Sequence, residues 1–148
     1  MVEKIQPIFR TPNYVVARYR DGRIIKGVTY DLGPQKRGFH VNLLGEDVGK
    51  VSEVLFSELK AVFFVKSLEG RKGPLSPISP KELLEERSEP AGPIKVKITF
   101  LDGETLVGTT HGYTVEREGF FIVPLEKDSN NLRIFIISSA VKQIETWK

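Results

Sequence analysis

Six basic side chains lie close together in the first part of the chain and could bind an anion. Four of them surround an Asp-Gly turn and two belong to the next turn: Arg18, Arg20, Arg23, Lys26, Lys36 and Arg37. A cluster of positive charge attracts phosphate groups, so one predicted ligand is a nucleotide or RNA. The same residues could equally form a solvated outer face, because charged side chains are mostly exposed whether or not they bind anything.

Motifs of the common enzyme classes are absent. The sequence contains no Gly-x-x-x-x-Gly-Lys-Ser/Thr loop, no G-x-G-x-x-G, no His-Glu-x-x-His and no Gly-x-Ser-x-Gly. Its two histidines, His40 and His111, have no metal-binding or acid–base partners at a suitable spacing. It has no cysteine, which excludes disulfides and thiolate chemistry. We therefore expect no enzyme activity, no catalytic residue, no metal site and no cofactor.

A second candidate surface is apolar. Apolar residues stop alternating between Leu59 and Val65, and a strand that is apolar on both faces is usually covered on both faces. We expect the second face to lie against the other half of the chain, the connector or another subunit. The predicted protein-contact residues are Phe63, Phe64 and Val65 of this strand, and Asn130 and Asn131 of the polar loop 128–131.

An internal repeat must position these side chains. Residues 14–41 align with residues 95–122 at a constant offset of 81, which places Asp21-Gly22 on Asp102-Gly103 and Gly27 on Gly108. Near the end of each copy the offset is 82, as for Val54 and Ile136. An Asp-Gly pair between alternating runs predicts a β-hairpin. The duplication predicts two similarly folded halves; differently built Asp-Gly corners, or one continuous sheet through both halves, would count against it.

Alternation within the repeat predicts the buried face of each half. The side chains expected to point inward share one parity in both copies: Val15, Ala17 and Tyr19, and Val96, Ile98 and Phe100. A glycine inside the second strand, Gly27 or Gly108, marks a bulge or bend. Each copy contains about five short strands, and a small bent barrel would bury one face of such a unit and protect its edges.

The predicted fold class is therefore all-β, with two tandem five-stranded SH3- or Sm-like barrels. The predicted boundaries are a lead-in over residues 1–13, lobe 1 over 14–66, a connector over 67–93 and lobe 2 over 94–148. The connector is rich in proline and glycine. Ser79-Pro80-Lys81-Glu82 inside it is a typical helix start, which predicts one short helix at about residues 80–88.

Composition narrows the partner class. The chain has 148 residues and a formal net charge of +3, which is well below that of a DNA-binding tail. No apolar run approaches the length of a membrane span, and the first residues lack the apolar core of a signal peptide. We expect a cytoplasmic protein with neither a membrane nor a DNA partner.

Three resemblances add to these expectations. The segment Val96 to Gly108, with its Asp-Gly turn, resembles the first motif of Sm-like proteins, which are bent five-stranded barrels that bind RNA as rings. Residues 27–33, followed by Gly38-Phe39-His40-Val41, are similar to PilZ domains, which bind cyclic di-GMP; Gly33 stands where those domains have serine. As a whole, the doubled pattern resembles an uncharacterised family of short bacterial proteins, which implies no known activity.

Taken together, these features predict a non-enzymatic binding or adaptor module. Its expected partner is another protein or a second copy of itself. The alternative is a PilZ-like or Sm-like binder of a nucleotide, cyclic dinucleotide or RNA through the basic face of lobe 1.

Overall fold

The computed structural model describes residues 13–32, 37–45, 48–68, 93–112, 118–126 and 129–147. These residues form ten β-strands and two 3-10 helices, so the predicted all-β class is confirmed. The first half contains β1 (Asn13–Tyr19), β2 (Ile24–Thr29), β3 (Gly38–Leu43), β4 (Val51–Leu55), a 3-10 helix (Phe56–Glu58) and β5 (Leu59–Val65). The second half contains β6 (Ile94–Phe100), β7 (Thr105–Thr110), β8 (Gly119–Pro124), β9 (Asn131–Ile137), a 3-10 helix (Ser138–Ala140) and β10 (Val141–Trp147).

All ten strands belong to one antiparallel sheet in the order β10-β6-β7-β8-β9-β5-β1-β2-β3-β4. Within each half the fifth strand pairs with the first, and the fourth strand lies at the far end. The halves are joined because β5 also pairs with β9, with Ala61 opposite Ile136 and Phe63 opposite Ile134. From the sequence we expected separate lobes, and a continuous sheet counts against that view. The difference arises because the apolar β5 forms hydrogen-bonded ladders along both of its edges.

The two Asp-Gly corners are nevertheless built alike. The Asp21 carboxylate accepts a hydrogen bond from the backbone N–H of Arg23, and Asp102 accepts one from Glu104, both at 2.9 Å. Gly22 and Gly103 have φ values of 99° and 92°, a region that glycine adopts without strain.

Strand registers repeat between the halves as well. Ala17 lies opposite Val62 on β5, and Ile98, 81 residues later, lies opposite Ile144 on β10. The predicted inward side chains of β1 and β6 are at most 5% exposed in both copies. The pairing of the first and fifth strands in the first half is thus reproduced in the second.

The predicted bend glycines are required by close strand contact. A Cβ atom on Gly27 would lie 2.2 Å from the carbonyl oxygen of Asn42, and one on Gly108 would lie 2.5 Å from that of Val123. Both distances are far below van der Waals contact, so β3 and β8 can approach β2 and β7 only because these residues lack side chains.

One hydrophobic core runs through both halves. Five phenylalanines form a chain of neighbouring rings, with centroids 4.9 to 5.9 Å apart, in the order Phe39, Phe56, Phe135, Phe121 and Phe64. Phe39, Phe56 and Phe64 belong to the first half, and Phe121 and Phe135 belong to the second. The halves therefore share a core and not only a sheet edge.

The predicted lead-in and connector fall largely outside the described residues. β1 begins at Asn13 and β6 at Ile94. Residues 1–12 and 69–92, including the short helix predicted at about 80–88, are not among those described. Among the residues that the structure describes, no helix has the length and apolar character needed to cross a bilayer.

Candidate binding surfaces at the junction

The predicted contact strand β5 lies in the interior. Phe63, Phe64 and Val65 are 7%, 3% and 5% exposed, between β1 on one side and β9 on the other. The guanidinium of Arg133 on β9 lies 4.5 Å from the centre of the Phe64 ring. β9 of the other half of the chain therefore packs against β5, and the other half is one of the three coverings expected for this strand from the sequence.

A buried lysine joins the two halves. Lys60 on β5 is 5% exposed, and its Nζ donates to Asp102 Oδ2 at 2.8 Å and to Glu104 Oε1. The same ammonium lies 4.8 Å from the centre of the Phe100 ring. A buried charge is tolerated only when it is paired and hydrogen-bonded, and the second Asp-Gly corner supplies both carboxylates. The hydrogen bond from Lys60 lowers the pKa of Asp102.

Arg18 and Arg20 of the basic cluster also face the second half. Arg18 Nη1 lies 3.3 Å from Glu104 Oε2, in a half-buried ion pair. Arg20 donates from Nε to the carbonyl oxygen of Leu59 at 3.1 Å and from Nη2 to Ser139 Oγ. These two guanidinium groups are therefore bound to protein groups at the junction.

Arg23, Lys26 and Arg37 are the other described members of the cluster. Arg23 pairs with Asp21 at 2.8 Å and lies 4.2 Å from the centre of the Tyr19 ring. The backbone N–H of Arg23 lowers the pKa of the Asp21 carboxyl. Lys26 and Arg37 are exposed, and Lys36 lies outside the described residues. The five described members of the predicted anion site are thus not assembled at one point.

A small cavity lies beside the buried lysine. It has a volume of about 180 Å³ and is lined by Arg20, Lys60, Phe100, Leu101, Asp102 and Ala140. Ligand pockets usually measure about 300–1,000 Å³, so this space is too small for a nucleotide. It belongs to the packing between the two halves.

A larger groove, of about 320 Å³, opens next to β5. We call it the junction groove; its lining comes from β1, β2, β5, the first residue of β9 and the segments beside β5 and β9, and consists of Val16, Arg18, Ile24, Lys26, Phe63, Val65, Ser67, Leu68, Asn130 and Asn131. Members of the predicted basic set and of the predicted contact set, which we assigned to separate surfaces from the sequence, meet here.

Hydrogen bonds shape one end of the junction groove. Asn130 accepts a bond from the backbone N–H of Lys66 and donates one from Nδ2 to the carbonyl oxygen of Ser67, both at 2.8 Å. Asn131 lies opposite Val65 in the β5–β9 ladder. The two asparagines therefore fix the chain segments that border the groove.

The groove wall combines exposed apolar surface with positive charge. Ile24 is 54% exposed and Val16 is half-buried. The exposed Lys26 has no ion-pair partner within the described residues. An extended peptide with an apolar side chain next to an acidic one would match this surface in shape and charge.

Neither histidine is part of a metal cluster in the described ranges. His40 Nδ1 lies 2.8 Å from Asp31 Oδ2, and the backbone N–H of His40 donates to Asp31 Oδ1 at 2.9 Å. Partial burial raises the pKa of Asp31, but the hydrogen bonds from His40 and Thr29 and the charge of His40 together outweigh it, and the net shift is downward. His111 is exposed just after β7.

The sequence did not lead us to Lys60, Asp102, Glu104 and Ser139 as a set. One signal was present, because Lys60 is the only charged residue in the otherwise apolar run Leu59–Val65. A lysine in a strand that is covered on both faces must find an acidic partner, but the sequence does not show where that partner lies.

Comparison with known proteins identifies a family. A family model described as "Family of unknown function (DUF6982)" matches residues 11–148. No curated protein sequence and no solved structure matches the chain.

Proposed function

Since the chain belongs to the family DUF6982, whose function is unknown, we propose a function from its geometry: it is a non-enzymatic binding module that holds an extended segment of another protein in the junction groove. The observation that carries this proposal is the groove itself, where the exposed Ile24 and the half-buried Val16 lie beside Lys26, whose ammonium has no ion-pair partner among the described residues. Its volume of about 320 Å³ suits a few side chains of a peptide.

The internal repeat supports a functional origin of the groove. At the equivalent positions of the second half, Thr105 replaces Ile24 and Val107 replaces Lys26. Because the second half folds with the same registers without these residues, the fold does not require an exposed isoleucine or lysine there.

We further propose that each half is a bent five-stranded barrel of the SH3- or Sm-like type. Three observations support this: the strand order β5-β1-β2-β3-β4 recurs as β10-β6-β7-β8-β9, a 3-10 helix joins the fourth and fifth strands in both, and Gly27 and Gly108 allow the sheet to bend.

The alternative of an anionic ligand gains less support. Arg18 and Arg20 are bound at the junction and Arg23 is bound to Asp21, so a nucleotide would have to compete with three existing contacts. Salt-sensitive binding of RNA or a cyclic dinucleotide that is lost in Arg20→Ala plus Arg23→Ala would nevertheless replace our proposal with this one.

Selection from a library of random displayed peptides tests the proposal. We expect the full chain to enrich peptides in which an aliphatic or aromatic residue stands next to Asp or Glu. Synthetic copies of these peptides should bind several-fold more weakly to Ile24→Thr and to Lys26→Val, in fluorescence anisotropy, because each change removes one part of the matching surface. Both changes introduce the residue of the second half, so folding should be retained.

The reciprocal change Val107→Lys serves as the control and should leave peptide affinity unchanged. Absence of any enriched apolar-acidic pattern, or equal affinity of all variants, would refute the groove as the binding site.

A further inference from the structure

Beyond the peptide groove, we propose that copies of this chain join head to tail, with β10 of one copy pairing with β4 of the next. These two strands would pair in the same antiparallel manner as β5 and β9 do within one chain. This proposal does not depend on the junction groove, since neither β4 nor β10 contributes to its lining.

The internal repeat makes the two pairs equivalent. At an offset of 82, β4 corresponds to β9 and β5 corresponds to β10. Their neighbours agree: Phe39 lies opposite Val54 on β4, and the corresponding Phe120 lies opposite Ile136 on β9. Since β5 and β9 form a ladder, β10 and β4 present the equivalent edges, but on opposite ends of the sheet.

Neither of these edges is paired in the part of the chain that the structure describes. β10 and β4 are the two terminal strands of the sheet, and within the described residues no strand pairs with their outer sides. On β4, Val51 is 58% exposed and Leu55 is 41% exposed. An edge strand presents unpaired N–H and C=O groups and is a ready site for strand addition.

The internal junction also predicts the register between copies. Transferring the β5–β9 ladder by 82 residues, forward from β5 to β10 and backward from β9 to β4, gives four pairs along β4: Gln143 opposite Val54, Ile144 opposite Glu53, Glu145 opposite Ser52, and Thr146 opposite Val51.

One charge contact would be reproduced. Lys142 corresponds to Lys60 and Asp21 corresponds to Asp102, so the ammonium of Lys142 would reach the exposed Asp21 carboxylate of the next copy. The partner that corresponds to Glu104 is Arg23, so the second carboxylate of the internal junction is missing. We expect the contact between copies to be weaker than the internal one and to depend on concentration.

Because the two edges differ, the contact is heterologous. Each added copy covers one β4 edge and one β10 edge and leaves one of each open, so assemblies either close into rings or extend as filaments. A two-fold dimer would instead pair like edges.

Two complementary variants of the full chain test this arrangement. Lysine on an edge strand opposes strand addition, so Val51→Lys should block the β4 edge and Thr146→Lys should block the β10 edge. Both side chains are exposed, so each variant should remain folded, which circular dichroism would verify. Val123→Lys, at a similarly exposed position of the interior strand β8, is the control.

Sedimentation velocity over rising concentration, up to about 1 mM, is the measurement. The wild type and Val123→Lys should show a mass that rises above the 16.7 kDa of one copy, while each edge variant alone should stay at one copy. An equimolar mixture of the two edge variants should form pairs and stop at two copies, since the edges that remain open in each pair are the two blocked ones.

A wild type that stays at 16.7 kDa throughout would overturn the proposal. So would a mixture that remains single copies, or an edge variant that still associates by itself, because the last result indicates pairing of like edges or contact through another surface.

Discussion

Replacing Lys60 by methionine is expected to destabilise the folded chain, whereas the same replacement of Lys142 is not. The two lysines are equivalent in the repeat, but Lys60 is 5% exposed at the junction and Lys142 is exposed on β10. Methionine keeps most of the side-chain volume, so the change removes the ammonium without leaving a large cavity. The pair of variants therefore isolates the contribution of the charge.

The magnitude follows from the exposure of the partners. Removing one member of a fully buried ion pair costs about 3–5 kcal/mol, because the other charge remains buried. Here the side chains of Asp102 and Glu104 are 54% and 35% exposed, so water recovers part of their solvation once Lys60 is gone. We expect a loss of about 1–2 kcal/mol for Lys60→Met and a change within about 0.5 kcal/mol for Lys142→Met.

Urea unfolding at neutral pH, followed by Trp147 fluorescence and by circular dichroism, gives both free energies by linear extrapolation. Because one core runs through both halves, the two signals should report a single transition. Equal free energies for Lys60→Met and Lys142→Met would show that the buried ammonium does not hold the junction, and the halves would then be joined by their shared ladder and core alone.

Two further predictions concern the bends and the acidic corner. Gly108→Ala should lower the free energy of unfolding by about 1–3 kcal/mol, since its Cβ would lie 2.5 Å from the Val123 carbonyl oxygen. Gly112→Ala, whose Cβ would have nothing within 4 Å, should change this free energy by less than about 0.5 kcal/mol. Similar urea midpoints for the two variants would contradict this prediction. The pKa of Asp102 is lowered on folding, so its carboxylate stabilises the fold above the unfolded pKa of about 4, and this contribution is lost as the pH falls through the lower folded value. Asp102→Asn should therefore lower the urea midpoint at neutral pH and have a smaller effect in acid; an equal effect at both pH values would refute the ion-pair explanation.

Local features of the sequence were sufficient to predict the elements of the fold. The Asp-Gly corners, the glycine bends and the inward residues Val15, Ala17 and Tyr19 all depend on backbone sterics and on the two-residue period of a strand. These properties act over a few residues, so the pattern in one chain segment is enough to reveal them.

The candidate site was only partly predictable for the same reason. The sequence identified Arg18, Lys26, Phe63 and Asn130 as functional candidates, but it placed them in two unrelated surfaces. The junction groove exists because β5 brings β9, and the loop before it, beside β1 and β2. That arrangement depends on a contact between residues about 70 apart in the chain, such as Val62 and Phe135, which no local pattern encodes.

The sequence by itself determined that two similar segments of the chain are built from strands, and which side chains of those strands face inward. Only the tertiary structure decided that the copies share one sheet and one core, and that Lys60 and Arg18 are used to bind the second half. The physical reason is that a buried charge or an open strand edge can be stabilised by any suitable partner, and the fold alone determines which partner lies within reach.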